Sequence, residues 1–348
     1  MTQITRIAAA MAAVYSAVAQ ANHVSEEQVR QGFAVAPAAV QHMYDEIALD
    51  SEFLQKINLV GKTEKLGELI GLSTGLIGSN TDTSDGRKTR KPKSIHSLTG
   101  RRYTLEKTNF DVFLRYDEID QWAHIAADFP ARINKKVAQS IAISLITIGM
   151  NGKTRAADSD AQANPLLQDV AKGWLQKMRE ENPTRVLGWQ PGQIGTAKKE
   201  VEYGAGAADY KNLDAVVTDA LNELMDERHA DRNDFVVIAN RQTVGDKYLR
   251  IINAGGDKAT ELEAGGRLSE KRTLGGLPVL HVPNMPKDTL LITPLKNLSI
   301  YYQTGGERRL IRDEPEADRI VSFQSKNIDF IVEEYGAAAL IENLKHTA

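Results

Sequence analysis

The run Gly71-Leu72-Ser73-Thr74-Gly75 matches the G-x-S-x-G pattern in which a serine serves as nucleophile. That pattern works when a strained strand-to-helix turn lifts the hydroxyl above a sheet. Here a polar, turn-rich stretch follows where the helix should begin. Ser73 therefore reads as an ordinary hairpin residue, with hydrolysis kept as an alternative. Gly204-Ala205-Gly206 matches the front of a dinucleotide fingerprint. Its third glycine position holds Asp209, whose charge would oppose a pyrophosphate, so a turn is the better reading. The seven histidines are scattered, and none stands in HExxH or another ligand spacing. His42, Asp45 and Glu46 would share one helix turn and could touch a metal, but a solvated helix face accounts for them better. The sequence predicts no catalytic residue, no cofactor site and no metal site.

Charge is the stronger signal. Between Gly86 and Leu105 the chain carries Arg87, Lys88, Arg90, Lys91, Lys93, Arg101 and Arg102, with no acidic residue among them. The surrounding stretch, residues 71–109, has only seven large apolar side chains and five glycines. It cannot bury itself, and long segments of this kind are disordered, act as lids or are bound to something else. The whole chain has a net charge of -3, so the remainder is acidic. Such asymmetry suits copies that stick to one another, basic loop on acidic flank. Three readings of the cluster stand: contact with an acidic patch on another subunit, plain surface charge, and phosphate binding. Against nucleic acid, only Tyr103 is interleaved as an aromatic and no recognition helix follows.

The wider composition is that of an ordinary globular protein, 42% hydrophobic and 26% charged. A chain of 348 residues has room for two or three domain-like units. The absence of cysteine excludes a disulfide framework and any thiolate site, and fits a reducing cytoplasm. Residues 7–21 are Ala-rich with Arg6 before them, as in a signal peptide, but Tyr15, Ser16 and Gln20 interrupt the run. Ile4, Ile7, Met11, Val14 and Val18 recur at helical spacing, which predicts an amphipathic helix instead. No run reaches the roughly 20 apolar residues of a membrane span.

These signals need elements to position them. Ser25 and Gln28 form a capping-box pattern for a short helix that Gly32 ends. Residues 33–60 read as an arm, broken at Ala36-Pro37 and continued by a helix carrying Val40, Met43 and Ile47. Residues 65–77 and 98–116 have strand-like spacing and bracket the basic segment. The expectation is one long two-stranded hairpin with its tip near residues 80–93. A hairpin of that kind is marginal alone and should lie on a neighbour. Pro130, capped by Asp128, starts a helix in which Ile133, Val137, Ile141, Leu145 and Ile148 lead to a stop at Asn151-Gly152. Its first half is basic at Arg132, Lys135 and Lys136; its second half is apolar nearly all round. Another helix is expected from Asn164-Pro165 through Met178, and further helices over residues 213–225 and 241–253. Residues 188–206 read as a surface loop or hairpin. Strands are expected at residues 235–239, 277–282, 290–293, 298–302, 308–312 and 327–333, with an acidic patch at residues 313–318. Helices and strands interleave without a βαβ rhythm, so the class is α+β.

Four ordered strings carry a family resemblance: residues 164–186 (NPLLQDVAKGWLQKMREENPTRV), 234–248 (DFVVIANRQTVGDKY), 277–302 (LPVLHVPNMPKDTLLITPLKNLSIYY) and 327–342 (NIDFIVEEYGAAALIE). They closely resemble the major capsid proteins of peduovirus-type, or P2-like, tailed bacteriophages. The resemblance implies the HK97-like major capsid protein fold. It assigns residues 1–32 to a helical, scaffold-associated segment removed on maturation, 33–64 to an N-terminal arm and 65–116 to an extended β-hairpin loop. Residues 130–150 become the spine helix, 166–312 the axial domain, and 117–165 with 313–348 the peripheral domain.

The same resemblance implies partners. Copies of the chain would form pentamers and hexamers of an icosahedral procapsid, with the basic hairpin residues as intersubunit contacts. A scaffolding protein that is also the maturation protease would trim the chain near Arg30, Gln31, Gly32 and Phe33. A portal would occupy one vertex, and packaged double-stranded DNA would be held by weak, non-specific contact. Assembly would take place in the host bacterial cytoplasm, without a membrane, a cofactor or catalysis, and the product would be the virion capsid. An encapsulin-like cellular nanocompartment is the alternative within the fold. A hydrolase built on Gly71, Ser73 and Gly75 is the alternative outside it.

Overall fold

The computed structural model describes residues 12, 14–20, 22, 24–49, 51–72, 79–81, 84, 89–92, 96–118, 129–188, 199–229, 231–245 and 273–347. The first half of the chain runs through α1 (Glu26–Gln31), β1 (Phe33–Ala34), α2 (Pro37–Leu49), α3 (Glu52–Lys56), β2 (Asn58–Lys62), β3 (Leu66–Leu72), β4 (His96–Thr104), β5 (Glu106–Asn109), β6 (Val112–Arg115) and α4 (Phe129–Asn151). After it come α5 (Trp174–Glu181), β7 (Val186–Leu187), β8 (Val201–Gly204), α6 (Leu213–Glu223), β9 (Phe235–Ala239), β10 (Thr273–Leu274) and β11 (Leu277–His281). The last part is nearly all strand: β12 (Leu290–Pro294), β13 (Leu298–Gln303), β14 (Arg308–Glu314), β15 (Arg319–Val332), β16 (Ala339–Ile341) and β17 (Leu344–Thr347).

One sheet is built around β15. Ser325 pairs with both Arg308 and Asn109, and Ile328 with both Tyr302 and Glu106. Thus β14 and then β13 line one edge of this long strand, while β6 and β5 line the other. The parallel partner β2 closes the sheet beyond β13, and β1 closes it beyond β14. The acidic patch at residues 313–318 covers the end of β14 and the turn into β15, with Asp318 in the left-handed region at φ 48°.

The second sheet has the order β10-β11-β9-β12-β16-β7. Its one face receives Val216, Val217 and Ala220 of α6, at the three- and four-residue spacing of an amphipathic stripe. Asn212 caps that helix by accepting from the Ala215 N–H at 2.9 Å. The other face, through Ile238, Leu291 and Leu340, belongs to the large core shared with α4 and α5.

The chain crosses between the sheets more often than the sequence suggested. β13 and β14 lie in the β15 sheet, although residues 166–312 were expected in one domain; β16, expected with the other domain, lies in the second sheet. The reason is pairing: Ala339, Leu340 and Ile341 are apolar on both faces and fill the slot between β12 and β7.

The helix expected over residues 130–150 spans Phe129–Asn151. Arg132, Lys135 and Lys136 are exposed, whereas Leu145, Ile146, Ile148 and Met150 are fully buried. The helix expected from Asn164 starts ten residues later, at Trp174. Backbone bonding explains the delay. The N–H groups of Lys153 and Thr154 donate to Gln168 O, and that of Ala156 to Asp169 O, so these carbonyls are spent on another strand of chain. Leu167 meanwhile takes φ 57°, which a right-handed helix does not tolerate. Trp174 is then driven into the core, its ring edge-on to Phe330 at 5.2 Å and its Nε1–H on Ser299 O at 3.0 Å.

The expected single hairpin is two things. β3 pairs with β4 alone, in a separate two-stranded sheet with a register shift between Glu68 and Ile70. The continuation of the second strand, β5 and β6, leaves it to join β15. The switch comes at Leu105, which is buried with Tyr103 against Tyr301 and Ile331. Burial of those side chains is worth more than extending a two-stranded ladder in water. Of the helix expected at residues 241–253, residues 241–245 are helical and the rest lies outside the described residues. No helix among the described residues is long and apolar enough to cross a membrane.

Candidate functional site

The basic residues of the hairpin divide into groups. Arg90 and Lys91 lie in exposed, irregular backbone near the tip. Arg87, Lys88 and Lys93 lie outside the described residues, as does Ser73. Arg102 faces Glu68 across the β3–β4 ladder at 3.6 Å, and both side chains are exposed. A pair of that kind is worth well under about 1 kcal/mol, which leaves its charges available to other partners.

Arg101 differs. Its Nε donates to Glu181 Oε2 at 3.2 Å, its NH1 to Glu333 O at 3.0 Å and its NH2 to Val332 O at 2.7 Å. The guanidinium also lies over the Tyr335 ring, 4.3 Å from the centroid. This residue, expected to contact another subunit, is engaged inside its own chain and fastens the hairpin base to the end of β15. The ring spacing that would have revealed it, Tyr335 beside the β15 terminus, is separated from Arg101 by more than half the chain.

Of the hydrolase reading, Ser73 and Gly75 lie outside the described residues. Gly71 sits within β3, paired with Ser97 in an antiparallel ladder. Among the described residues no helix follows until after β6. Gly204 ends β8, paired with Thr347, at φ 130°, and only Gly206 lies in the turn that the sequence suggested, at φ 76°.

At the other expected site, Gln31 and Gly32 are exposed, between two docked segments. Upstream, the capping box at Ser25 and Gln28 starts α1, with both reciprocal bonds present. Tyr15, Val18, Ala19 and Val29 form a small cluster on Ile311 of β14. Arg30 lies over the Tyr15 ring at 4.5 Å. Downstream, Phe33 pairs with Arg309 at the edge of the β15 sheet. The backbone between the two anchors passes through Gly32 at φ 95°, beside an open cleft of about 490 Å³ lined by Phe33, Lys107, Arg308 and Phe323.

Sequence reasoning missed the buried charges that bind these parts together. Lys326, 1% exposed, lies 3.3 Å from Glu307, 3% exposed. Its ammonium also lies 4.9 Å from the centre of the Tyr44 ring and 3.2 Å from Met43 Sδ, so α2 is held over the sheet. Burial pushes the Glu307 carboxyl up and the Lys326 ammonium down, each opposed by the other's charge. A second pair, Lys177 and Asp329 at 2.6 Å, joins α5 to β15. Burial raises the Asp329 carboxyl, against the pull of Lys177 and the N–H groups of Thr104 and Phe330. Arg179 makes a forked contact with Glu342, its Nε 3.0 Å from both carboxylate oxygens. The only signal for these pairs in the sequence is a charge within an otherwise apolar strand.

The acidic turn after β14 is partly spent. Arg312 and Arg319 hold Glu314, keeping its carboxyl below the usual range. Asp313 accepts from the Tyr116 hydroxyl at 2.5 Å, which pushes that phenol up to about 12. Glu316 and Asp318 stay exposed.

Among the described residues the arrangement holds structural ion pairs and a basic hairpin whose Arg90, Lys91 and Arg102 are exposed. The family model described as phage major capsid protein, P2 family, matches residues 10–344. The capsid protein of Escherichia phage P2 is 40% identical over 334 residues, covering 96% of this chain and 93% of that protein. The major capsid protein of Serratia phage KSP20 is 37% identical over 330 residues, or 94% and 93% of the two chains. Among solved structures, a chain of the satellite phage P4 procapsid that includes the size determination (Sid) protein superposes with a TM-score of 0.81. It is 39% identical, and the match covers 90% of this chain and 94% of that one.

Proposed function

The chain belongs to the P2 family of phage major capsid proteins, and from that membership we propose how its subunits meet. It is a structural protein of the icosahedral capsid of a P2-like phage, not an enzyme, with an α+β, HK97-like fold. Each subunit lays its β3–β4 hairpin over a neighbour, and pentamers and hexamers built this way close into a procapsid. The observation that carries this reading is the hairpin itself: two strands that, among the described residues, pair only with one another, with exposed Arg90 and Lys91 between them. Two-stranded ribbons are marginal in water, so a covering surface stabilises them. A closed shell supplies that surface at every position, and many weak contacts add up.

Assembly is guided by a scaffolding protein that is also the maturation protease. The chain is cut near Arg30, Gln31, Gly32 and Phe33, where exposed backbone joins two docked segments. Packaged double-stranded DNA meets the inner wall only weakly, since a chain of net charge -3 offers phosphate little overall attraction. A portal fills one vertex, and the shell forms in the host cytoplasm. No observation favours the encapsulin-like compartment.

Neutralising Arg87, Lys88, Arg90, Lys91 and Lys93 together tests the hairpin contact. The expected outcome is soluble, folded subunits that do not close into shells, read by circular dichroism and electron microscopy. Normal particles from that variant would refute it. Arg101 is left intact in this design, because removing it would loosen the hairpin base.

A further inference from the structure

Away from the hairpin, three ligand-type side chains from distant parts of the sequence converge. Asp226 follows α6, His229 ends the 3-10 turn Glu227–His229, and Glu334 lies in the link between β15 and β16. One oxygen of each carboxylate and one imidazole nitrogen lie within 4.8 Å of one another. Acidic clusters are common on surfaces, but this one holds a side chain that is otherwise unexplained. His229 is 8% exposed, and its Nε2 has no hydrogen-bond partner among the described residues. A buried polar atom left that way costs free energy unless something occupies it.

The backbone holds the group in place. The Asp226 N–H donates to Gly336 O at 3.0 Å, and the His229 N–H to Asp226 O at 2.8 Å. Gly336 brings the acids together: a Cβ there would stand 2.1 Å from Asp226 Oδ2 and 3.2 Å from Glu334 Oε1. Two guanidiniums complete the surroundings. Arg185 is bonded to Asp226 Oδ1, and Arg228 lies 2.9 Å from Asp226 Oδ2 and 3.7 Å from Glu334 Oε1. Arg228 is 43% exposed and Glu334 45% exposed, so both can move into solvent. Arg185 is more enclosed and also bonds Leu224 O.

We propose that Asp226, His229 and Glu334 bind one divalent cation of the Zn²⁺ type, which takes the place of Arg228 against Asp226 Oδ2 and Glu334. Mixed imidazole and carboxylate ligands suit Zn²⁺, whereas Ca²⁺ and Mg²⁺ prefer all-oxygen shells. Ligand bonds of about 2.0–2.2 Å set tetrahedral ligand atoms roughly 3.3–3.6 Å apart. The three atoms must therefore close by about 1 Å, which a rotamer change of the half-exposed Glu334 supplies. The bound ion would pin the β15–β16 link, where the chain passes from one sheet to the other, to the end of α6. The site is made only from residues of one chain and does not rest on the proposed hairpin contact.

The full-length chain is equilibrated with Zn²⁺, freed of excess by gel filtration, and its zinc counted per chain; Co²⁺ absorbance reports imidazole ligation. The expected result is one ion per chain, with affinity lowered at least about tenfold by His229→Ala and by Glu334→Gln. Arg228→Ala should bind several-fold more tightly, because the competing cation is gone. Glu334 and Arg228 are exposed enough to replace without unfolding, so they carry the test even if His229→Ala does not fold. Zinc well below one ion per chain in the unaltered protein would overturn the proposal. So would affinities left unchanged by Glu334→Gln and Arg228→Ala.

Discussion

Lys326 and Glu307 show what a buried charge does in this protein. Glu307 lies in the short gap between β13 and β14, and Lys326 lies opposite on β15. In that gap the Val35 N–H donates to Glu307 O at 3.0 Å, and the ion pair fixes α2 through Tyr44. Taking two charges out of water is expensive, so such a pair sets arrangement more than it adds net stability. Lys326→Met leaves Glu307 buried with only the Arg309 charge to oppose it, and should cost up to about 3–5 kcal/mol. Replacing both, as Lys326→Met with Glu307→Leu, should recover most of that loss. Urea unfolding of the two variants measures the difference; equal losses in both would contradict this account. Residues of this kind were invisible in the sequence, because nothing in the spacing of Glu307 and Lys326 says that they meet.

Among the elements, α4 was the most legible. Its apolar residues recur every three or four positions, and a proline and an Asn-Gly step mark its ends. What it packs on was not legible. Gly149 lies in its interior, where a Cβ would stand 2.2 Å from Trp174 Cζ3, and a Cβ on Gly173 would stand 2.3 Å from Gly149 O. Glycine is there for close approach. Gly149→Ala would ordinarily gain up to about 1 kcal/mol in a helix. Here it should instead destabilise by about 1–3 kcal/mol, since the Trp174 ring is fully buried and cannot yield. Gly245→Ala, in the helical turn at residues 241–245 with nothing within 4 Å, is the control and should be neutral or stabilising. Thermal unfolding of both decides it. The late start of α5 has a similar origin: local propensity favoured a helix from residue 164, and tertiary hydrogen bonds to Gln168 and Asp169 overrode it.

For the whole molecule, the described part of the amino-terminal segment forms a small cluster of its own on β14. Tyr15, Val18, Ala19 and Val29 rest on Ile311, whereas the main core runs from α2 to β15 without them. Deleting residues 1–30 should therefore leave a folded subunit. Co-expressed with scaffold, that subunit should form aberrant particles; shells of wild-type size in normal yield would count against a scaffold role. Under the proposed hairpin contact, shell closure of the unaltered chain should fall as salt is raised above about 0.1 M, where screening acts within about 10 Å; a particle yield independent of salt would count against that contact.

The family, the α+β class and the helix α4 were legible in the sequence alone, because each is written in local spacing or in long ordered strings. Tertiary structure decided where the hairpin ends, since Leu105 gains more from burial against Ile331 than from continuing a ladder in water. It decided that β13 and β14 share a sheet with β15 while β16 crosses to the other. It turned Arg101 inward and brought Asp226, His229 and Glu334 together. Each of these depends on contacts between residues far apart in the chain, and local spacing carries no information about which distant partner a side chain will meet.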